Sequence, residues 1–143
     1  KKVTEKIISE RAKKSIETTG DLKKILAPLV KVKDENKFLA QVFQSLRIEV
    51  NDELEVIKTL LSESSKFIKK GGRLVCISYH SLEDRIVKKF IQNGGFNDEV
   101  TTDLYGNKNI IFKKVGKMIK PSNHEIKINN RSRSAKLRIA EKI

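Results

Sequence analysis

The chain has 143 residues and carries 31 Lys and Arg against 18 Asp and Glu, which gives a net charge of +13. A positive field of this size favours polyanionic partners, above all nucleic acid, and a solvated Lys-rich surface is the alternative. The single cysteine excludes an internal disulfide. The sequence shows neither a signal peptide nor the roughly 18 consecutive apolar residues of a membrane span, so we expect a soluble, cytoplasmic protein.

The first third of the sequence has the apolar spacing of helices. Apolar residues recur at helical intervals from Val3 onward, with neither a starting Met nor a preceding cap, so we expect further protein before residue 1. Thr18 and Asp21 are cap-type residues that predict the start of a second helix. Pro28 and the charged stretch 31–36 then predict a boundary or a loop.

The middle of the sequence combines helices with a buried strand. An apolar stripe from residue 37 predicts a long helix, and Asn51 followed by two acidic residues predicts the N-cap of the next one. Gly71 and Gly72 end that helix. Residues 73–79 form a short apolar run, which predicts a strand buried on both faces of a parallel sheet. Together these elements indicate an α/β fold.

The second half continues with a helix and two strands. Ser81 fits the capping-box pattern with Asp84 at its last position, and the helix is predicted to end at Gly94. Residues 110–115 and 134–142 predict strands, the second with alternating apolar and basic residues. The stretch between these two strands is predicted as a loop.

Polar residues crowd the carboxyl end of the first predicted strand. Ser78, His80 and Ser81 lie where open α/β sheets place their ligands, so they are candidates for lining a catalytic pocket. A structural interpretation competes: Ser81 caps the helix and His80 is a turn histidine whose hydrogen bonds are satisfied. That interpretation leaves the crowding of Ser78, Tyr79 and His80 unexplained, and both stay open.

A second group of polar residues lies near the end of the sequence, in the stretch 113–143, which holds most of the excess positive charge. Side chains of this kind contact phosphates and fix the position of a nucleic acid without reading its sequence. The candidates for RNA binding are Arg131, Arg133, Lys136 and Arg138. The alternative is a solvated basic strand.

The sequence lacks the motifs of a complete nucleotide-dependent or metal-dependent enzyme. It contains no G-x-G-x-x-G or phosphate-loop pattern. Two histidines, His80 and His124, are too few for a zinc site of the usual all-protein type, so no metal is predicted.

Three stretches resemble the RsmH (MraW) family of methyltransferases. Residues 43–54 (FQSLRIEVNDEL) resemble its helix signature, residues 72–88 (GRLVCISYHSLEDRIVK) its central strand and helix, and residues 131–138 (RSRSAKLR) its terminal strand. Their order and spacing also fit, so the resemblance covers nearly the whole chain. One departure is Asn130, which stands where the family usually has proline.

The resemblance implies the carboxy-terminal part of a class I, Rossmann-like methyltransferase sheet and part of a helical insertion domain. Residues 1–47 would belong to the insertion domain and residues 48–143 to the methyltransferase domain. In this pattern the final strand, 134–142, lies between strand 73–79 and strand 110–115. Strand 110–115 is outermost and antiparallel to the final strand. The free edge of strand 73–79 would pair with the missing amino-terminal half, or else self-associate.

For function, the resemblance implies S-adenosylmethionine-dependent N4-methylation of a cytidine in the decoding region of 16S rRNA, so the partner would be that RNA or the small ribosomal subunit. The cofactor site is expected mainly in the missing half, so this chain alone is expected to be inactive and no cofactor-binding residue is assigned to it. Ser78, His80 and Ser81 would help to orient the amine. His80 is a weak candidate for a base, because the amine is expected to lose its proton during or after methylation. The alternative is a non-catalytic, basic RNA-binding module.

Overall fold

The computed structural model describes residues 1–97 and 110–143. The chain divides into two compact units, Lys1–Asn51 and Asp52–Ile143, each with its own hydrophobic core. This division falls slightly after the predicted boundary between residues 47 and 48. The assignment of the first unit to an insertion domain stays a prediction. Among the described residues, every helix is too short or too polar to span a bilayer.

The first unit consists of three α-helices joined by loops and short 3₁₀ turns. They are α1 (Lys2–Arg11), α2 (Thr19–Leu26) and α3 (Glu35–Val50), with 3₁₀ turns at Ala27–Leu29 and Val32–Asp34. The predicted cap of α2 is confirmed, because Thr18 Oγ1 accepts a hydrogen bond of 3.1 Å from the Asp21 amide. Leu22, Leu26 and Leu39 form the centre of the core of this unit.

The described residues of the second unit form a three-stranded sheet with helices. Its elements are α4 (Glu53–Phe67), β1 (Arg73–Ser78), α5 (Ser81–Asn93), β2 (Phe112–Ile119), α6 (Asn123–Ile128), a 3₁₀ turn at Asn130–Ser134, and β3 (Lys136–Lys142). The strand order is β1-β3-β2, and β3 is antiparallel to both neighbours. The predicted order, with the final strand in the middle, is confirmed. Within the described residues β1 pairs only with β3, so its other edge has no partner there.

The described residues of this unit cover only one face of the sheet. Leu61 of α4, Phe90 of α5, Phe112 of β2 and Ala140 of β3 belong to one buried cluster. On the opposite face Val75 is 55% exposed, and its neighbours along that face are similarly open. The prediction that β1 is buried on both faces of a parallel sheet is therefore wrong for this unit. An apolar run alone does not tell how many of its faces are covered.

Two helix starts differ from the prediction by one residue. The N-cap of α4 is Asp52 and not Asn51, and Asp52 adopts a left-handed conformation with φ of 51°. The N-cap of α5 is His80 and not Ser81, so Ser81 is already the first helical residue. The end of α5 is as predicted, since Gly94 has a φ of 72°.

The stretch between β2 and β3 is more ordered than predicted. It contains α6, whose N-cap Ser122 accepts a hydrogen bond of 3.1 Å from the Glu125 amide, and the 3₁₀ turn that precedes β3. The prediction of a plain loop is wrong here, because helices of one or two turns leave little periodicity in a sequence.

The ends of β1 and β2 and the start of β3 lie together at one end of the sheet. Ser78 at the end of β1 is paired with Lys136 at the start of β3, and Ile119 at the end of β2 is paired with Leu137. The residues that follow β1 and β2 and those that precede β3 therefore share one region of the surface.

Candidate nucleic-acid interface

The segment that follows β1 is held by the side chain of Glu83. Its Oε2 accepts hydrogen bonds from the amides of Tyr79 at 3.1 Å and His80 at 3.3 Å. One carboxylate thus fixes the backbone where β1 turns into α5, at the helix end that favours negative charge.

A cleft of about 370 Å³ opens beside this turn. Its lining contains members of both groups of candidate residues: His80 and Ser81 from the first group, Arg133 and Lys136 from the second. The sequence gives no direct sign of this convergence, which follows from the pairing of β1 with β3. Lys120, which directly follows β2, also lines the cleft and was not predicted as a site residue.

The other predicted residues lie outside the cleft lining. Ser78 is only 6% exposed and sits in the strand behind it. Arg131 is exposed on the 3₁₀ turn before β3, where its amide donates to Asn129 Oδ1 at 3.1 Å. Arg133 does line the cleft, and its Nη1 donates to the Asn130 carbonyl at 3.4 Å. Both arginines therefore belong to one ordered turn.

Behind the cleft lies an ion-pair network centred on Asp84. Its carboxylate accepts two hydrogen bonds from the Arg138 guanidinium, at 2.7 Å from Nε and 3.1 Å from Nη2. A third comes from Lys136 Nζ at 3.2 Å. The Arg138 hydrogen bonds, aided by Lys136, lower the pKa of Asp84 although its burial acts in the opposite direction.

Two residues predicted to bind RNA, Arg138 and Lys136, take part in this network in different ways. The guanidinium of Arg138 is bound to Asp84 in bidentate fashion and its side chain is 16% exposed. Lys136 donates to the same carboxylate and also lines the cleft, so it belongs to both the network and the cleft. The sequence analysis missed Asp84, because it assigned that residue to a helix cap.

His80 has one unsatisfied ring nitrogen. Its Nδ1 faces the amide of Glu83 at the start of α5, yet it is buried without a completed hydrogen bond within the described residues. The ring as a whole is partly exposed and lines the cleft. His80 therefore joins the helix start to the wall of the cleft.

Two adjacent glycines, Gly71 and Gly72, do not lie where a cofactor cradle is expected. A glycine-rich cradle is expected at the carboxyl end of a strand, whereas Gly71 and Gly72 lie before β1, where Gly71 donates to the Lys142 carbonyl at 2.8 Å. A Cβ atom on Gly72 would lie 2.8 Å from the Lys69 carbonyl oxygen, so this glycine serves packing against its own chain. Residues 1–97 and 110–143 also contain no cluster of three or more metal-ligating side chains.

Comparison with known proteins gives one consistent result. A model of the MraW methylase family matches residues 1–143. Ribosomal RNA small subunit methyltransferase H of Flavobacterium johnsoniae is 53% identical over 137 residues, which are 96% of this chain and 45% of that protein. The Flavobacterium psychrophilum protein of the same name is 55% identical over 136 residues, covering 95% of this chain and 47% of its own length.

Other bacteria have similar relatives. The protein of that name from Bacteroides thetaiotaomicron is 48% identical over 143 residues, which are 99% of this chain and 47% of the relative. The chain thus spans about half the length of the curated relatives that it matches, and the matched half is their carboxy-terminal part. Since the family match extends over the whole sequence, the chain belongs to the MraW methylase family.

Proposed function

We propose that this chain acts as the carboxy-terminal part of an S-adenosylmethionine-dependent methyltransferase that modifies N4 of a cytidine in the decoding region of 16S rRNA. Family membership and the relatives' name support a methyltransferase of small-subunit ribosomal RNA. The observation that carries the proposal for this chain is the cleft, in which His80 and Ser81 face Lys120, Arg133 and Lys136.

The chain's own contribution is to hold and orient the nucleotide. The positive charges of Lys120, Arg133 and Lys136 attract the phosphates. This attraction supplies a large share of the affinity between a protein and a nucleic acid. The Ser81 hydroxyl accepts a hydrogen bond from the exocyclic amine, and the His80 ring fixes the base beside it. Such contacts raise the rate by orientation, and they require no base in the chain.

Cofactor binding is the proposed role of another part of the protein. We propose that the amino-terminal half holds S-adenosylmethionine and supplies a strand for the free edge of β1. Self-association through the same edge is the proposed behaviour of the chain alone, because unpaired backbone groups on an apolar strand are a template for pairing. We place the protein in the cytoplasm, where its RNA substrate is made.

Methyl transfer by the whole protein tests this function. The chain, joined to the amino-terminal half of a relative, is incubated with small ribosomal subunits and S-adenosylmethionine labelled in the methyl group. We expect label in 16S rRNA, recovered as N4-methylcytidine after digestion. The double variant Ser81→Ala with His80→Ala should transfer the label at least about tenfold more slowly. The variant with Lys70→Ala, at the opposite end of β1, is the matched control and should keep the full rate.

The alternative function makes a different prediction for the same experiment. A folded protein that binds RNA but transfers no label to either free rRNA or subunits would leave only the non-catalytic RNA-binding module. Label on the amino group of another base would retain the enzyme and overturn the cytidine assignment.

A further inference from the structure

One aromatic side chain stands between the cleft and a second depression. Tyr79, the residue after β1, is 58% exposed and lines both. The second depression has a volume of about 160 Å³, several times the roughly 30 Å³ that one water molecule occupies in the liquid. Lys120 is shared by both depressions as well.

Both apolar and polar side chains line the second depression. Ile77, Leu137 and Ile119 form an apolar row across the described strands, because each pairs with its neighbour in the sheet register. Asn129 and Glu125 also line the depression. An apolar row together with amide and carboxylate groups suits a flat heterocycle that carries hydrogen-bond donors and acceptors.

The backbone of Tyr79 is fixed before any ligand arrives. Its amide donates to Glu83 Oε2 at 3.1 Å, and the preceding residue, Ser78, is paired with Lys136 in the sheet. Proteins recognise single-stranded RNA by stacking unpaired bases on exposed aromatic rings beside cationic side chains. Tyr79 has such surroundings, since it lines the cleft together with Lys120, Arg133 and Lys136.

We propose that Tyr79 is a stacking platform for an unpaired nucleobase next to the target nucleotide in the RNA. The cleft with His80 takes the target nucleotide, the second depression takes its neighbour, and Lys120 contacts the phosphate that links them. The inference rests on the proposed function, since it assumes that the substrate is RNA. It adds that the substrate is single-stranded over at least two consecutive nucleotides.

The test measures binding of a short single-stranded RNA with the decoding-region sequence by fluorescence anisotropy, using the whole chain. Tyr79→Ala should weaken binding about 5- to 150-fold, the range for loss of one base–aromatic stack. Tyr79→Phe keeps the ring and should bind within about twofold of wild type, whereas Tyr79→Leu should resemble Tyr79→Ala. The matched control is Phe67→Ala, which removes an aromatic ring that is 82% exposed on α4, and should change nothing.

An RNA with one abasic nucleotide provides a second measurement. Removing the neighbouring base should weaken binding to the wild-type chain and have no further effect on Tyr79→Ala, because the stack is already lost. If Tyr79→Ala binds as tightly as Phe67→Ala, or if the two losses add fully, the inference is wrong while the proposed function stands. If the wild-type chain does not bind RNA, the RNA interface of the proposed function fails and the inference fails with it.

Discussion

In the second unit, the carboxylate of Asp84 is the centre of an ion-pair network. Asp84 is only 7% exposed, yet it is ionised because Arg138 and Lys136 both donate to its carboxylate. Removing one partner from such a group leaves the others with uncompensated charge in a poorly solvated place, which costs more than the intact pair contributes.

Asp84→Asn should therefore lower the free energy of unfolding by roughly 3 kcal/mol at neutral pH, the lower end of the range for broken buried pairs, because Lys136 is partly exposed. Urea denaturation measures this change. The matched control is Glu63→Gln, which breaks an exposed pair with Lys66 on α4 and should cost less than about 1 kcal/mol. Equal losses for the two variants would contradict a special role for Asp84.

The same residue gives the stability a defined pH dependence. The hydrogen bonds from Arg138 hold the pKa of Asp84 below its ordinary value of 3.8, so the folded state binds this proton less readily than the unfolded state. The stabilisation is therefore complete above the ordinary pKa and is lost as the pH falls through the lowered one. The difference in unfolding free energy between wild type and Asp84→Asn should be constant from about pH 7 to pH 5 and should shrink below about pH 4.

At the scale of elements, the start of α5 carries the site. The helix and its glycine end were predicted from the sequence, but its start was placed one residue late, with Ser81 as the cap and Asp84 at the last capping-box position. The structure selects the pattern of His80 with Glu83, which leaves Asp84 free to pair across the sheet. A choice of this kind depends on a partner 54 residues away, and local pattern does not contain it.

Glu83→Ala should lower the free energy of unfolding by about 1 kcal/mol, the usual cost of a lost helix cap, because the amides of Tyr79 and His80 lose their acceptor. Glu83→Gln should recover part of this loss, since an amide oxygen also accepts. Thermal denaturation provides the measurement. Glu55→Ala in the first turn of α4 removes an exposed acid and should have a smaller effect; an effect as large as that of Glu83→Ala would count against the cap.

At the scale of the whole molecule, the proposed RNA interface consists of the cleft and the turn beside it, in a chain with a net charge of +13. Arg133→Ala and Arg131→Ala should each weaken RNA binding and reduce the slope of log affinity against log salt by about 1. Titrations from about 50 to 200 mM salt measure the slope. Lys70→Ala, which removes an exposed lysine beyond the other end of β1, should leave it unchanged. Binding that does not depend on salt would point to a different surface.

The sequence predicted the order of the strands and both groups of candidate residues, but not their meeting. The strand order came from the family resemblance, and the groups came from the types of residue at a strand end and in a basic segment. Ser81 and Lys136 share a cleft only because β3 pairs with β1, and Lys120 reaches it only because β2 is the third strand. The open face of β1 could not be predicted, because an apolar run does not reveal which of its faces a neighbour covers.

The central place of β3 also determines when this sheet can form. Within the described residues, β1 and β2 have no contact with each other in the sheet and each pairs only with β3. During synthesis, the edges of β1 and β2 that pair with β3 lack their partner until residues 136–142 have been added. Lys136 and Arg138 of β3 complete the Asp84 network and Lys136 also lines the cleft, so both features can form only after this last strand has paired, and such non-local pairing makes folding slow.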